Sequence, residues 1–223
     1  MHFGIVAVKA EVAQFIDAFT TAWPQHEAST RVSLTGLEAL DAWMRETRRD
    51  VYAANWSVDN PGTDAFGFWQ DGDWAVMLDP GYVQASDGKA LAVLSVRFGL
   101  ALSFVIETTG GCAFFDAHER GQRLRRIQSI DGELKTEGAR LPQEARLPAS
   151  SYYMDETEQL QLAFGITPLE RLPADARLQG AAFIDRTDYS ALRKKHESKA
   201  KGAAVAVPAQ AAPVPKKPWW RFW

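Results

Sequence analysis

The chain contains few of the features from which a function can be read directly. It has a single cysteine, Cys112, among 223 residues, which excludes an internal disulfide and favours a reducing compartment. No apolar run approaches the roughly 18 to 20 residues that a membrane-spanning helix requires. Residues 1–15 lack a basic region ahead of their short apolar segment, which favours a first strand over a signal peptide. We therefore expect a cytoplasmic protein.

Patterns that would indicate a catalytic or cofactor site are also missing. There is no Gly-x-Ser-x-Gly elbow, and Gly110-Gly111 lies in a predicted hairpin turn, not in a loop that leads into a helix and cradles phosphate. No histidine has a second metal ligand at a recognised spacing; the four are His2, His26, His118 and His196. The sequence therefore predicts no cofactor, and only a metal site built from distant residues stays open.

The remaining candidates for chemistry have local structural explanations. Cys112 and His118 lie six residues apart in one predicted strand, which separates them by about 20 Å and excludes a nucleophile–base pair. Asp71 and Asp73 bracket a predicted turn. The acidic residues at 155–158 begin a predicted helix, where the helix dipole favours negative charge.

Two further pairs of residues are candidates for ligand binding. Arg123 and Arg125 are predicted to share one face of a strand, where no aromatic residue alternates with them. A solvated outer face of the sheet explains them better than a phosphate or RNA site. Trp69 and Trp74 flank a predicted hairpin turn, and a cross-strand aromatic pair explains them better than an exposed ligand platform.

The order of local patterns predicts an α+β fold, with an antiparallel sheet and helices packed on one face. Helices are predicted over residues 10–23, 37–49, 87–98 and 154–165. Strands are predicted over residues 3–8, 51–58, 65–70, 73–78, 100–107, 112–118, 122–130 and 180–186, and a loop over 131–151.

Charge and composition divide the chain. Residues 1–192 are predicted to form the globular domain, followed by a basic polar segment at 193–201, an Ala/Pro-rich linker at 202–218 and a Trp-rich docking motif at 219–223. The net charge of −3 hides an asymmetry, because residues 193–223 carry eight basic residues and one acid. The first 192 residues carry 17 basic and 27 acidic residues, so the body should avoid nucleic acid.

The end of the chain, "PKKPWWRFW", is the predicted docking element, and we expect it to be disordered when it is unbound. Its candidate docking residues are Lys216, Lys217, Trp219, Trp220, Arg221, Phe222 and Trp223. Tryptophan and arginine are common anchors in protein grooves and also suit a membrane interface. A free terminal carboxylate would oppose insertion into an anionic bilayer, which favours a protein partner over peripheral contact with the inner membrane face.

The stretches "DGDWAVML" and "GKALAVLSVRFGLALSFVIETTGGCAFFDAHERGQRLRRI", with the "GARLPQEA" loop after them, follow the order hairpin, helix, meander. This order resembles uncharacterised bacterial α+β domains of the immunity or accessory type. The resemblance covers about half of the chain and carries no catalytic residues. It implies a binding protein more than an enzyme.

The sequence as a whole predicts a non-enzymatic binding or adaptor protein with an acidic body and a tethered Trp/Arg-rich tail. Two alternatives stay open. One is an immunity-type inhibitor, whose acidic face would neutralise a basic toxin. The other is a hydrolase whose site is assembled from distant residues and leaves no local signature.

Overall fold

A computed structural model describes residues 2–51, 53 and 55–194 of the chain. Within these residues, one antiparallel sheet is formed by nine strands: β1 (His2–Lys9), β2 (His26–Thr35), β3 (Gly62–Asp71), β4 (Trp74–Asp79), β5 (Leu100–Glu107), β6 (Cys112–Glu119), β7 (Gln122–Ile130), β8 (Glu133–Glu137) and β9 (Arg177–Asp185). Four α-helices pack on it: α1 (Val12–Ala22), α2 (Leu37–Thr47), α3 (Gly88–Phe98) and α4 (Met154–Ala163). Short 3-10 helices lie at Pro142–Arg146 and Leu169–Arg171.

The sheet is not assembled in chain order. Its strands follow the order β2-β9-β3-β4-β1-β5-β6-β7-β8. The last strand, β9, pairs with β2 on one side and with β3 on the other. The half of the sheet that contains β2 and β3 is therefore continuous only when a segment from the far end of the domain lies between them.

Helices cover both faces of the sheet. Side chains alternate along β1, so that Phe3 and Ile5 belong to one apolar cluster and Val6 and Val8 belong to the other. The first cluster packs against α2 and α4, and the second packs against α1 and α3. The predicted antiparallel α+β fold is confirmed, but the expectation of helices on one face is wrong, because the central strands are apolar on both sides.

The third helix follows its sequence signals closely. Asp87 caps it by accepting hydrogen bonds from the backbone N–H groups of Lys89 and Ala90, at 2.9 and 3.2 Å. Gly99 ends it with φ at +83°, a conformation that glycine adopts without strain. The predicted meander after this helix is also confirmed, as β5, β6 and β7.

Two predicted local features are displaced along the chain. The β3–β4 turn is formed by Gly72 and Asp73, because Asp71 pairs with Trp74 as the last residues of the ladder. The predicted turn at Asp71-Gly72 is thus one residue too early. The spacing of Asp155 and Glu158 predicts a capping box at the start of the fourth helix, but the residue that caps it is Tyr153, whose N–H donates to the Glu156 carboxylate at 2.9 Å.

Three segments were assigned wrongly from the sequence. The described residues within 51–58 form turns and bends, although a strand was predicted there. Strand β2 was missed because it is an edge strand whose residues are mostly exposed, and its alternation of apolar and polar residues is limited to Val32 and Leu34. The predicted loop at 131–151 contains β8, which is short, charged and forms the opposite edge.

Two glycines allow α2 to lie close to the sheet. Gly67 of β3 and Gly180 of β9 face each other in the ladder. A Cβ atom at position 180 would lie 2.5 Å from the Trp43 ring, and one at position 67 would lie 2.4 Å from Leu40. The absence of a Cβ atom at these two positions therefore leaves space for the Leu40 and Trp43 side chains of α2.

We expect Gly180→Ala to lower the free energy of unfolding by about 1 to 3 kcal/mol, because the added methyl overpacks the contact with Trp43. Urea unfolding of the wild type, Gly180→Ala, Trp43→Leu and the double variant measures the effect. The double variant should lose less stability than the sum of the single losses. Additive losses would show that the ring and the glycine do not compete for the same space.

The described part of the chain ends beside the loop at 51–56. Residues 190–194 are helical, and the Arg193 guanidinium donates hydrogen bonds to the carbonyl oxygens of Val51 and Ala53. The same guanidinium lies 4.9 Å from the centre of the Trp56 ring. A truncated domain that keeps these contacts must retain Arg193, one residue beyond the predicted domain end at 192.

We expect truncation after Lys194 to leave the thermal midpoint within a few degrees of the full chain, because the residues removed lie outside the predicted globular domain and include the Ala/Pro-rich linker, which cannot form a core. Truncation after Thr187 should lower the midpoint more, because it also removes Tyr189 and Arg193. Thermal unfolding of the three proteins checks this expectation. A molten or insoluble 1–194 protein would mean that the domain needs residues beyond 194.

Candidate functional site

The predicted docking residues lie outside the described part of the chain and stay a prediction: Lys216, Lys217, Trp219, Trp220, Arg221, Phe222 and Trp223. Among the described residues, no helix has both the length and the apolar character needed to cross a bilayer.

Other candidates from the sequence are accounted for by internal contacts. Trp69 and Trp74 are both 3% exposed and belong to the core on the α2/α4 side, so they form no exposed platform. Asp71 accepts hydrogen bonds from Thr167. Cys112 is half-buried, and its thiol donates to the Gly110 carbonyl oxygen at 3.2 Å.

The expectation that Arg123 and Arg125 share a solvated face is wrong. A β-bulge at Leu124 shifts the pairing of β7 with β6, so the two arginines point to opposite sides of the sheet. Arg125 is buried and forms a bidentate pair with Glu144, with both N–O distances at 2.9 Å. Arg123 donates to Asp116 at 3.0 Å, so both side chains are used inside the domain.

A polar cleft of about 490 Å³ lies at the end of the sheet where β2 and β3 begin and β9 ends. Its walls include His26, Asp64, Asp185 and Tyr189, together with arginines that follow α2. Titratable groups converge here from three neighbouring strands. We take this cleft as the candidate functional site.

Strand register explains why these side chains meet. His26 begins β2 and lies opposite Asp185, the last residue of β9. On its other side Asp185 lies opposite Gly62, and Asp64 follows two residues later in β3. His26 Nε2 is 3.1 Å from Asp64 Oδ2. The His26 ring packs edge-on against the Phe19 ring, with 5.4 Å between the ring centres.

The Asp185 carboxylate is held by two donors. The Thr187 N–H donates to Oδ1 at 2.9 Å, and the Tyr189 hydroxyl donates to Oδ2 at 2.7 Å. Burial raises the pKa of Asp185, but these hydrogen bonds and the charge of His26 outweigh it and lower the pKa below its usual range. Burial and the bond to Asp185 raise the pKa of Tyr189 to about 12. Near neutral pH the site therefore presents a carboxylate and a neutral phenol.

A third carboxylate, that of Asp79, is buried beside the cleft residue Gln84. Asp79 is 1% exposed and accepts hydrogen bonds from the N–H groups of Gly81, Gln84 and Ala85 at 2.8 to 3.0 Å. Burial raises its pKa to about 6, although these bonds and the Arg48 guanidinium act in the opposite direction. Asp79 therefore changes charge close to neutral pH.

The cleft has the groups needed to hold a cation or to move a proton. An imidazole, two carboxylates and a phenol lie together, and Arg48 Nε is 3.9 Å from Asp64 Oδ1. Such groups from separate elements are what a hydrolytic or metal site requires.

Sequence reasoning missed this site because its members are far apart in the chain. Asp64 lies 38 residues after His26, and Asp185 belongs to the last strand, which lies between the other two. The available signal was weak: Asp64, Asp79 and Asp185 each begin or end an apolar run within a strand. Without the strand order, these positions cannot be joined.

The raised pKa of Asp79 predicts a pH-dependent stability. Ionisation of this buried group costs free energy above about pH 6, so its contribution to the free energy of unfolding should increase as the pH falls through 6. Between about pH 7 and pH 5, the wild type should gain about 1 kcal/mol relative to Asp79→Asn. Urea unfolding of both proteins at the two pH values measures this, and parallel pH profiles would contradict it.

Comparison of the chain with protein-family models, curated proteins and solved structures found no match. The features of this chain that bear on its function are the cleft, the charge distribution and the sequence of the tail.

Proposed function

We propose that the protein is a non-enzymatic binding or adaptor protein, whose acidic body and basic Trp/Arg-rich tail engage two surfaces. The division of charge supports this proposal most directly. Residues 1–192 carry 17 basic and 27 acidic residues, whereas residues 193–223 carry eight basic residues and one acid. A body and a tail of opposite net charge attract different partners or different regions of one partner.

The place where the tail leaves the body supports a joint role with the cleft. Val51 and Tyr189 both line the cleft, and Arg193 donates to the Val51 carbonyl oxygen. The basic segment therefore starts at the cleft margin. A partner bound in the cleft would lie within reach of the tail, and tethering of this kind raises the effective concentration of the second contact.

The tail has enough apolar surface to act as an anchor. Trp219, Trp220, Phe222 and Trp223 could each remove about 100 Å² from water, a gross gain of about 10 kcal/mol before ordering costs. Arg221 adds a donor that suits carboxylates and aromatic rings. We favour a protein groove as the target and treat a membrane surface as an outcome of the test.

The test compares the full chain with a variant in which Trp219, Trp220 and Trp223 are all changed to alanine. We expect the variant to lose the proteins that the full chain recovers by cross-linking in lysate. The matched control changes three exposed apolar residues of the body to alanine, Val58, Val96 and Leu192, and should recover the same proteins as the wild type. The docking proposal fails if the tryptophan variant recovers an unchanged set.

Vesicles separate the two kinds of target. Salt-sensitive co-sedimentation with phosphatidylglycerol-containing vesicles, lost in the tryptophan variant, would identify a membrane surface. An absence of vesicle binding together with loss of the cross-linked proteins would identify a protein groove.

A hydrolase is the second candidate, favoured by the convergence of His26, Asp64, Asp185 and Tyr189 in one cleft. Turnover of model phosphate or carboxylate esters by the wild type, lost in Asp185→Asn, would support it. An immunity-type inhibitor remains the other alternative. It predicts salt-sensitive binding of a basic protein that survives removal of residues 195–223, because the acidic body alone would make the contact.

A further inference from the structure

We infer that His26, Asp64 and Asp185 form a binding site for a divalent transition-metal ion. Each residue offers one ligand atom, and these atoms lie within 4.8 Å of one another. Imidazole nitrogen with two carboxylate oxygens is a ligand set that Zn²⁺ accepts, whereas Mg²⁺ and Ca²⁺ prefer oxygen ligands alone. The site is additional to the proposed binding function and does not depend on it.

The three ligand atoms would need to move only slightly closer together to bind zinc. With metal–ligand distances of about 2.0 to 2.2 Å, tetrahedral ligand atoms lie roughly 3.4 Å apart. His26 Nε2 and Asp64 Oδ2 are already 3.1 Å apart. Asp64 has a side chain that is 25% exposed, against 1% for His26, so it is the ligand with the most room to adjust.

Contacts around the ligands hold two of them in place. The hydroxyl of Tyr189 and the N–H of Thr187 fix both oxygens of Asp185, as outer contacts do in established metal sites. Phe19 packs against the His26 ring, whose buried Nδ1 has no hydrogen-bond partner among the described residues. Nε2, which lies 3.1 Å from Asp64 Oδ2, is the ring atom that faces the carboxylates.

The charges also suit a divalent cation. The two carboxylates carry a charge of −2 that a divalent ion would balance. All three ligands line the cleft, so a remaining coordination position would be open to water or to a bound molecule. Arg48, at 3.9 Å from Asp64 Oδ1, is the competing cation and has a half-exposed side chain that can turn toward solvent.

A different explanation is that the three residues form only a structural ion pair. The two explanations differ in what Asp64→Asn does. Its amide oxygen can still accept a hydrogen bond from His26, so the fold should survive, but an amide is a poor zinc ligand. The matched control is Asp116→Asn, because Asp116 Oδ1 lies 3.2 Å from His118 Nε2 in a second buried histidine–aspartate pair, for which the described residues supply no third metal ligand.

The experiment is calorimetric titration of the chelator-treated full chain with Zn²⁺, with circular dichroism as the check of folding. We expect one saturable site in the wild type and in Asp116→Asn, and at least about tenfold weaker binding in Asp64→Asn and Asp185→Asn. Tyr189→Phe, a positioning variant, should weaken binding less than removal of a ligand.

Co²⁺ absorption provides a second readout, because visible d–d bands report ligation directly. These bands should appear in the wild type and disappear in Asp64→Asn. The metal site is refuted if the wild type shows no saturable Zn²⁺ binding, or if the folded Asp64→Asn and Asp185→Asn variants bind Zn²⁺ as the wild type does.

Discussion

Pairing of β9 between β2 and β3 is the contact on which the rest of this domain depends. Its ladders join a segment near residue 180 to strands that begin at residues 26 and 62. Phe183 of β9 stacks on Phe19 of α1 at 3.8 Å, and Gly180 gives α2 space to approach. The same strand places Asp185 in the cleft, so the sheet and the candidate site both form only when β9 pairs with β2 and β3. Bringing segments so far apart in the chain together costs conformational entropy.

Because the sheet is buried on both faces, the carboxylates at the ends of its strands need hydrogen-bond donors from within the domain. Strands β3, β4 and β9 are apolar through their middles and finish in aspartates next to the core. Each buried carboxylate must find donors or remain protonated. Asp185 finds a phenol and a backbone N–H, whereas Asp79 finds three backbone donors and still has a raised pKa.

Local signals were sufficient for elements whose ends are set by their own residues. Asp87 and Gly99 determine the ends of α3, and the turns after β5 and β6 determine the meander. They were insufficient for β2, which depends on β9 for its pairing, and for the bulge at Leu124 that separates the two arginines. The candidate site could not be predicted for the same reason, because it depends on strand order and not on spacing.

The cleft combines features that stability alone does not require. A buried histidine beside two carboxylates costs desolvation, and apolar residues of similar volume would often stabilise a domain as well or better. Local departures from a simple core of this kind are concentrated at functional sites. Here the departure lies where β2 and β3 begin and β9 ends, and where Arg193 donates a hydrogen bond to the carbonyl oxygen of Val51. A ligand in the cleft would therefore lie beside Val51, the residue that Arg193 contacts at the start of the basic segment.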